Sequence, residues 1–357
     1  MYRSFIVRNF RCFHSLAMQD LGRFNLIAGK NNVGKTALLE AFFLHCGAWN
    51  PELALRLNAF RGIEMVKIEF GGWRETPWDT LFKDFDTSRS LELEGDDEFT
   101  GHRTLSLKLI RDPSELAQLR ISVLHSNGSA LGSSEAAQVL ELEYHQDKQV
   151  GKYYMIFDPK GPRVEPIPPP PPFPAFFLGA RMRIPGKEEA EHFGNLDSRG
   201  EQEVFLRVLR IIEPRLQRVF VRVIAGEPVL YGDIGLTRSI PLPLMGEGMA
   251  RLSSLVLHIG NAPNGVVLVD EVENGIHYSV LPKVWQALAE AARHFNTQVF
   301  ATTHSLECIA AAHEAFSQGK LYDFRLHRLD RINDEICVVT YDQESLAAAL
   351  EAGLEVR

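Results

Sequence analysis

Gly29-Lys30-Asn31-Asn32-Val33-Gly34-Lys35-Thr36 fits G-x-x-x-x-G-K-[ST], with an apolar run at 24–28 before it and Ala37, Leu38, Leu39, Ala41, Phe42 and Phe43 after it. The context predicts a strand, a glycine-rich turn and a buried helix. Glycine lets the backbone wrap a phosphate without Cβ clashes. Successive N–H groups at the start of a helix supply partial positive charge to a β-phosphate. Lys35 would place a full cation between β- and γ-phosphates, and the Thr36 hydroxyl would ligate Mg²⁺. The expected nucleotide-binding set is therefore Gly29, Asn31, Asn32, Gly34, Lys35, Thr36 and Ala37. The bland alternative is a glycine-rich strand–helix turn with no ligand.

Two further stretches read as partners of this loop. Residues 265–271 (GVVLVDE) are four aliphatic residues that end in two carboxylates. A central parallel strand is buried on both faces and so is continuously apolar, and its C-terminal end is the rim where ligands bind. Asp270 would hold Mg²⁺ through water, and Glu271 would orient and polarise an attacking water as general base. Without the loop, the same residues would be a strand ending in two solvated acids. The next apolar run, 297–303, ends at His304-Ser305, with one helix between it and Asp270-Glu271. His304 there would touch the γ-phosphate and the water; a strand-end histidine by itself is more often structural or solvent-facing.

Around these motifs the chain alternates. A helix is expected over 248–259, a strand at 266–269, a helix over 280–292, a strand at 298–301 and a helix over 306–315. This alternation predicts an α/β fold with a mostly parallel core sheet flanked by helices. Residues 5–7 and 24–28 read as strands separated by a turn at 19–22. Residues 62–160 read as an antiparallel sheet with one wet face, with runs at 65–70, 105–109, 119–123 and 139–144 and loops at 95–100 and 126–134. Pro168 to Pro172 are continuous, flanked by Pro166 and Pro174. Polyproline II is the default there, as a stiff spacer before a strand at 173–179 or as a ligand for an SH3- or WW-type domain. Residues 202–220 read as an amphipathic helix, open to a break at Pro214, with Phe205, Leu209, Ile212 and Leu216 on one side and Arg207, Arg210, Arg215 and Arg218 on the other. The organisation expected is one unit over 1–357: an N-terminal lobe with the loop (1–60), an antiparallel β subdomain (61–160), a proline-rich spacer (161–174) and a helical lobe (175–357).

The 357 residues are 45% hydrophobic and 24% charged, which excludes collagen-like, mucin-like and wholly disordered classes. Lys+Arg 38 against Asp+Glu 46 gives −8, so any nucleic-acid binding needs a local patch. Arg207, Arg210, Arg215 and Arg218 offer one such patch or a plain solvated face. Arg3, Arg8 and Arg11 offer another, with an approach to the nucleotide as the alternative for Arg11. Four cysteines without metal-ligand spacing, and no signal-peptide core or apolar span, predict a reduced, cytoplasmic chain with no membrane partner.

In order and spacing, the three motifs resemble the ABC-type ATPase heads of the RecF/SMC/Rad50 group, and most of all the AAA15 or OLD-like ATPases of prokaryotes. The opening Ile6-Val7-Arg8-Asn9-Phe10-Arg11-Cys12-Phe13 looks like the first strand of RecF-type heads, and the Asn-Asn pair is similar to the G-x-N-N-x-G-K-[ST] form. Met245-Gly246-Glu247-Gly248-Met249-Ala250-Arg251-Leu252 occupies the signature-motif position, and Glu273-Asn274-Gly275-Ile276-His277 looks like the D-loop. The resemblance implies an ABC-type P-loop head that takes ATP and Mg²⁺, with Lys35, Glu271 and His304 catalytic, and Thr36 and Asp270 on the metal. It implies an ATP-dependent dimer in which Gly246 and Gly248 of one copy complete the γ-phosphate site of the other, in DNA maintenance or anti-phage defence. Gly246 stands where the family's signature carries serine. Glu247 adds a negative charge, and Arg251 would either pair with it or reach the nucleotide. No glutamine lies between Thr36 and Gln118 to serve as a Q-loop, which weakens a transporter-subunit reading. There is no coiled coil, and the stretch after His304 is too short for a Toprim nuclease. An effector such as a nuclease is therefore expected as a separate polypeptide. The alternative is a nucleotide-gated protein-binding scaffold with little turnover.

Overall fold

The computed structural model describes residues 1–61, 76–118, 138–147, 149–158, 161–180 and 184–357. The strands are β1 (Tyr2–Phe10), β2 (Phe13–Met18), β3 (Phe24–Gly29), β4 (Leu91–Asp97), β5 (Gly101–Ile110), β6 (Gln138–Gln146), β7 (Gln149–Asp158), β8 (Gly161–Glu165), β9 (Ala175–Leu178), β10 (Arg218–Ile224), β11 (Glu227–Asp233), β12 (Ile240–Pro241), β13 (Val266–Val269), β14 (Gln298–Thr302), β15 (Phe324–Ile332) and β16 (Glu335–Tyr341). The helices are α1 (Lys35–Cys46), α2 (Leu53–Phe60), α3 (Pro113–Gln118), α4 (Gly186–Ser198), α5 (Gln202–Leu209), α6 (Glu247–Asn261), α7 (Leu281–His294), α8 (Leu306–Ser317) and α9 (Gln343–Glu351).

The central sheet has the order β16-β15-β3-β14-β13-β9. Every pairing in it is parallel except β15 with β16. Side chains alternate across such a sheet, and both faces are covered. Phe24, Leu26 and Ala28 of β3, Val267 and Val269 of β13, and Val299 and Ala301 of β14 pack with α4–α8. Ile27, Val266, Leu268 and Phe300 point to the opposite face, toward α1 and the antiparallel sheet. This double burial is why these strands read as unbroken apolar runs.

The antiparallel sheet has the order β2-β1-β4-β5-β6-β7-β8. It begins ahead of the stretch 61–160, because β1 and β2 are two of its strands. The segment 6–13 is thus a hairpin rather than one strand: Phe10 pairs with Phe13 across a turn at Arg11-Cys12. Helix α1 lies between the two sheets. Phe42 stacks on Phe5 of β1 (ring centroids 3.9 Å) and meets Phe300 of β14 at 4.1 Å. Removing so buried a ring, as in Phe42→Ala, costs about 3–5 kcal/mol. The proline run joins β8 to β9, and Pro170 O accepts from Trp49 Nε1 (3.2 Å). It is one of the connections between the two sheets.

Three expectations change. The helix over 202–220 stops at Leu209; Arg210 to Gln217 turn, and Arg218 opens β10. Pro214 cannot continue a helix and disfavours helical backbone at Glu213. Leu216 is still buried, so the apolar periodicity marks core contacts that a turn makes instead. The expected loop 95–100 is shorter, because β4 runs on to Asp97. The strand at 173–179 narrows to β9. The runs at 65–70 and 119–123 and the loop at 126–134 lie outside the described residues.

Two buried histidines give the fold an acid limit. His327 Nε2 donates to Asn25 Oδ1 (3.2 Å) and Nδ1 accepts from Thr340 Oγ1 (3.0 Å); burial, with Arg325 adding, pushes it down to about 3. Burial, with Arg103 adding, holds His45 well below its ordinary value. With a folded pKa below the unfolded 6.5, the unfolded chain binds more protons in acid. Stability is therefore full above about pH 6.5 and is lost as pH falls through the window below it, by about 2 kcal/mol from His327 alone on reaching about pH 5. Thermal melts across that window check this: Tm should fall with acid, and a flat profile contradicts it.

Candidate nucleotide site

The loop leaves the C-terminal end of β3 and enters α1, whose N-terminus carries no side-chain cap and no acidic residue in its first turn. Its N–H groups are thus open to an anion. Gly34 has φ +99°, and a Cβ there would stand 2.6 Å from Cys12 Sγ and 2.8 Å from Phe13 Cζ. The β1–β2 hairpin turn is pressed against the loop so closely that only glycine fits. Arg331 Nη2 donates to Asn32 O (3.2 Å) from the other side. Lys35 curls back, with Nζ donating to Gly29 O (2.7 Å) and Lys30 O (3.1 Å). Burial lowers its pKa, while Asp270, Glu271 and Glu273 act in the opposite sense.

The acidic strand end sits beside this loop. Thr36 Oγ1 lies 3.1 Å from both carboxylate oxygens of Asp270. Thr302 Oγ1, at the end of β14, donates to Asp270 Oδ1 (2.6 Å) and accepts from the Glu271 N–H (2.8 Å). Glu271 has φ +50°, a left-handed backbone uncommon outside glycine. Its Oε2 accepts from Asn274 Nδ2 (2.7 Å). Glu273 Oε1 accepts from Thr303 Oγ1 (2.7 Å) and the His304 N–H (3.2 Å), and His304 Nδ1 is 3.6 Å away. Arg251 reaches in from α6: Nη1 donates to Gly179 O (3.2 Å), and Nη2 to Asp270 O (2.5 Å) and Glu271 O (3.4 Å).

Thus Lys35, Thr36, Asp270 and Glu271 come together, and His304 joins them through Glu273. Gly246 and Gly248 lie elsewhere, at the start of α6. A Cβ on Gly248 would meet Gly275 O at 2.4 Å, so the signature-like turn packs on the D-loop-like turn; around Gly246 there is open space within 4 Å. Nη1 and Nη2 of Arg251 go to backbone carbonyls and not to Glu247, and its Nε is buried without a hydrogen-bond partner. Arg11, in the turn that presses on the loop, pairs through Nε with Glu40 Oε2 (2.6 Å), a fully buried carboxylate that also takes Arg61 (2.7 Å). Sequence reasoning missed Thr302, named Glu273 only within the D-loop-like run, and singled out Arg251 without its carbonyl contacts. Thr302 and Thr303 were visible as hydroxyls at an apolar strand's end; no local pattern marked the carbonyls that Arg251 meets.

With that geometry, the likeness to known proteins is informative. Residues 24–310 match the family model described as "AAA domain, putative AbiEii toxin, Type IV TA system". The chain belongs to this AAA domain family. Its AAA domain is of the P-loop ATPase type, which binds ATP with Mg²⁺, and the match takes in the loop, Asp270, Glu271 and His304. Two uncharacterized proteins of Methanocaldococcus jannaschii are similar. MJECL10 is 32% identical over 126 residues, 34% of this chain and 52% of that protein. MJECL11 is 31% identical over 115 residues, 32% of this chain and 90% of that protein. The chain thus spans about half the length of the first of these. Among solved structures, an Smc head bound to the C-winged helix domain of ScpA is similar over 97% of this chain and 99% of that one, at 11% identity and a TM-score of 0.50. The AAA domain here therefore has an SMC-head-like ABC ATPase fold. Among the described residues no helix is long and apolar enough to cross a membrane.

The tight fit at Gly34 is testable without any ligand. Gly34→Ala meets both an unfavourable φ and the Cys12–Phe13 turn, and should destabilise the fold by about 1–3 kcal/mol. Gly200→Ala, at φ +72° with open space around the added Cβ, meets only the φ penalty. Urea melts of the two should show the larger loss at Gly34; equal losses would refute the steric account.

Proposed function

We propose that the chain is an ATP-binding and hydrolysing ABC-type switch that pairs with a second copy on binding ATP and acts in DNA maintenance or anti-phage defence, through a separate effector protein such as a nuclease. The observation that carries this reading is the Thr36–Asp270–Thr302 tie, which sets Lys35 after β3 and Glu271 after β13 at one rim of the parallel sheet, with the end of β14 between them. On this reading Gly29, Asn31, Asn32, Gly34 and Ala37 offer backbone N–H groups to the phosphates, and Lys35 exchanges its loop carbonyls for phosphate oxygens. The oxygen donors of Thr36 and Asp270, 3.1 Å apart, suit a hard divalent cation. Mg²⁺ held there supplies positive charge against the phosphates when bound. Glu271 takes a proton from the attacking water. His304, oriented by Glu273, faces the γ-phosphate.

The open space at Gly246 and the N-terminus of α6 suit a phosphate offered by a partner copy. The family description supports the defence setting. Direct DNA binding has less support: Arg207, Arg210, Arg215 and Arg218 pair with Glu290, Glu203, Glu213 and Asp233, while Arg3 and Arg8 pair with Glu98 and Glu94. One observation favours the scaffold reading, namely that Gly246 has no hydroxyl to offer.

Glu271→Gln separates the readings. Phosphate release should fall at least about 100-fold from the wild-type rate, and the variant should elute as a dimer with ATP and a monomer without it. Lys35→Ala should abolish the dimer. Background turnover in both wild type and Glu271→Gln would leave the scaffold reading. A monomer whatever the nucleotide would overturn the switch.

A further inference from the structure

Away from the nucleotide site, three potential metal ligands converge between α4 and α6. Glu188 and His192 are four residues apart on α4 and so share a face. His258 comes from α6. One ligand atom of each lies within 4.8 Å of the other two. A tetrahedral ion with bonds of about 2.0–2.1 Å needs its ligands roughly 3.3 Å apart, a gap that modest side-chain rotation closes.

We propose that Glu188, His192 and His258 bind a divalent transition-metal ion of the zinc type, which staples α4 to α6. The first support is an unmet need. His192 is only 8% exposed, and its Nδ1 is buried with no hydrogen-bond partner. Native interiors rarely leave such an atom unsatisfied. The second is the arrangement at His258. Ser254 O can only accept, so the 2.6 Å contact makes His258 Nδ1 the donor and leaves the lone pair on Nε2, which lies 3.7 Å from Glu188 Oε1. A ligand histidine whose other ring nitrogen donates to a carbonyl is the usual outer support of a metal site. Ser254 is itself fixed, its Oγ donating to Glu189 Oε1 (2.5 Å).

The setting also suits an ion. The two rings meet edge to face with centroids 4.7 Å apart, and Phe176 of β9 packs on both at 5.2 and 4.9 Å, which keeps them side by side. Glu188 is 46% exposed, which leaves a way in and a position for water. Two imidazoles and one carboxylate favour zinc over magnesium or calcium, which prefer oxygen alone. An ion pair between His258 and Glu188 would account for those two residues but not for His192 Nδ1. The ion would brace the far part of the helix that begins at Gly246–Gly248 and carries Arg251. Its existence does not depend on the proposed function.

The test uses the full chain, stripped with chelator and titrated with Co²⁺ as a spectroscopic probe in excess Mg²⁺, then with Zn²⁺ against a chromogenic chelator. One equivalent with an intense tetrahedral cobalt spectrum is expected. It should persist in Asp270→Asn, which removes the carboxylate of the nucleotide site, and be lost in Glu188→Gln and His258→Gln. Zn²⁺ should raise Tm in the wild type but not in Glu188→Gln, an exposed change that leaves the metal-free fold intact. No stoichiometric binding by the wild type, or binding undiminished in Glu188→Gln, would overturn the proposal.

Discussion

The carboxylate of Asp270 is where three strands meet. It holds the Thr36 hydroxyl at the start of α1 and the Thr302 hydroxyl at the end of β14, and Arg251 secures its own carbonyl. These groups come from points 234 and 32 residues away along the chain. Hydrogen bonds to a carboxylate are stronger than neutral ones, and here they fix the ends of β3, β14 and β13 relative to one another. If the tie were absent, loop, acidic pair and histidine would be three separate turns on one rim.

The rim is held still by what lies beneath it. Helix α1 is buried on all sides because a second, antiparallel sheet covers the face that a surface helix would show to water. Phe5, Phe42 and Phe300 form a continuous aromatic path from that sheet through α1 to β14. The β1–β2 turn presses on Gly34, and its Arg11 reaches Glu40 on α1. The antiparallel sheet is therefore a structural partner of the loop and not a decoration.

Charge on the surface is largely spent locally. Arginines that suggest basic faces in the sequence each find a carboxylate nearby in space, consistent with a net charge of −8. Exposed pairs of this kind add little stability, but they cancel the field that a nucleic acid would feel. The buried polar groups behave differently: burial holds His327 and His45 below their ordinary values, and Glu40 pairs with two guanidinium groups.

By itself the sequence determined the parallel core and the motif set, because unbroken apolar runs, glycine spacing and strand-end carboxylates are local signals of backbone geometry and burial. It also singled out Lys35, Thr36, Asp270 and Glu271, which the fold brings together. Only the tertiary structure decided that 202–220 is a short helix, a turn and a strand, since periodicity reports which residues are buried and not how the backbone carries them there. Only it assigned Arg251 to carbonyls, Arg11 to Glu40, and His258 to a face shared with His192. Those are meetings of residues remote in sequence, fixed by helix and sheet packing that no local pattern encodes.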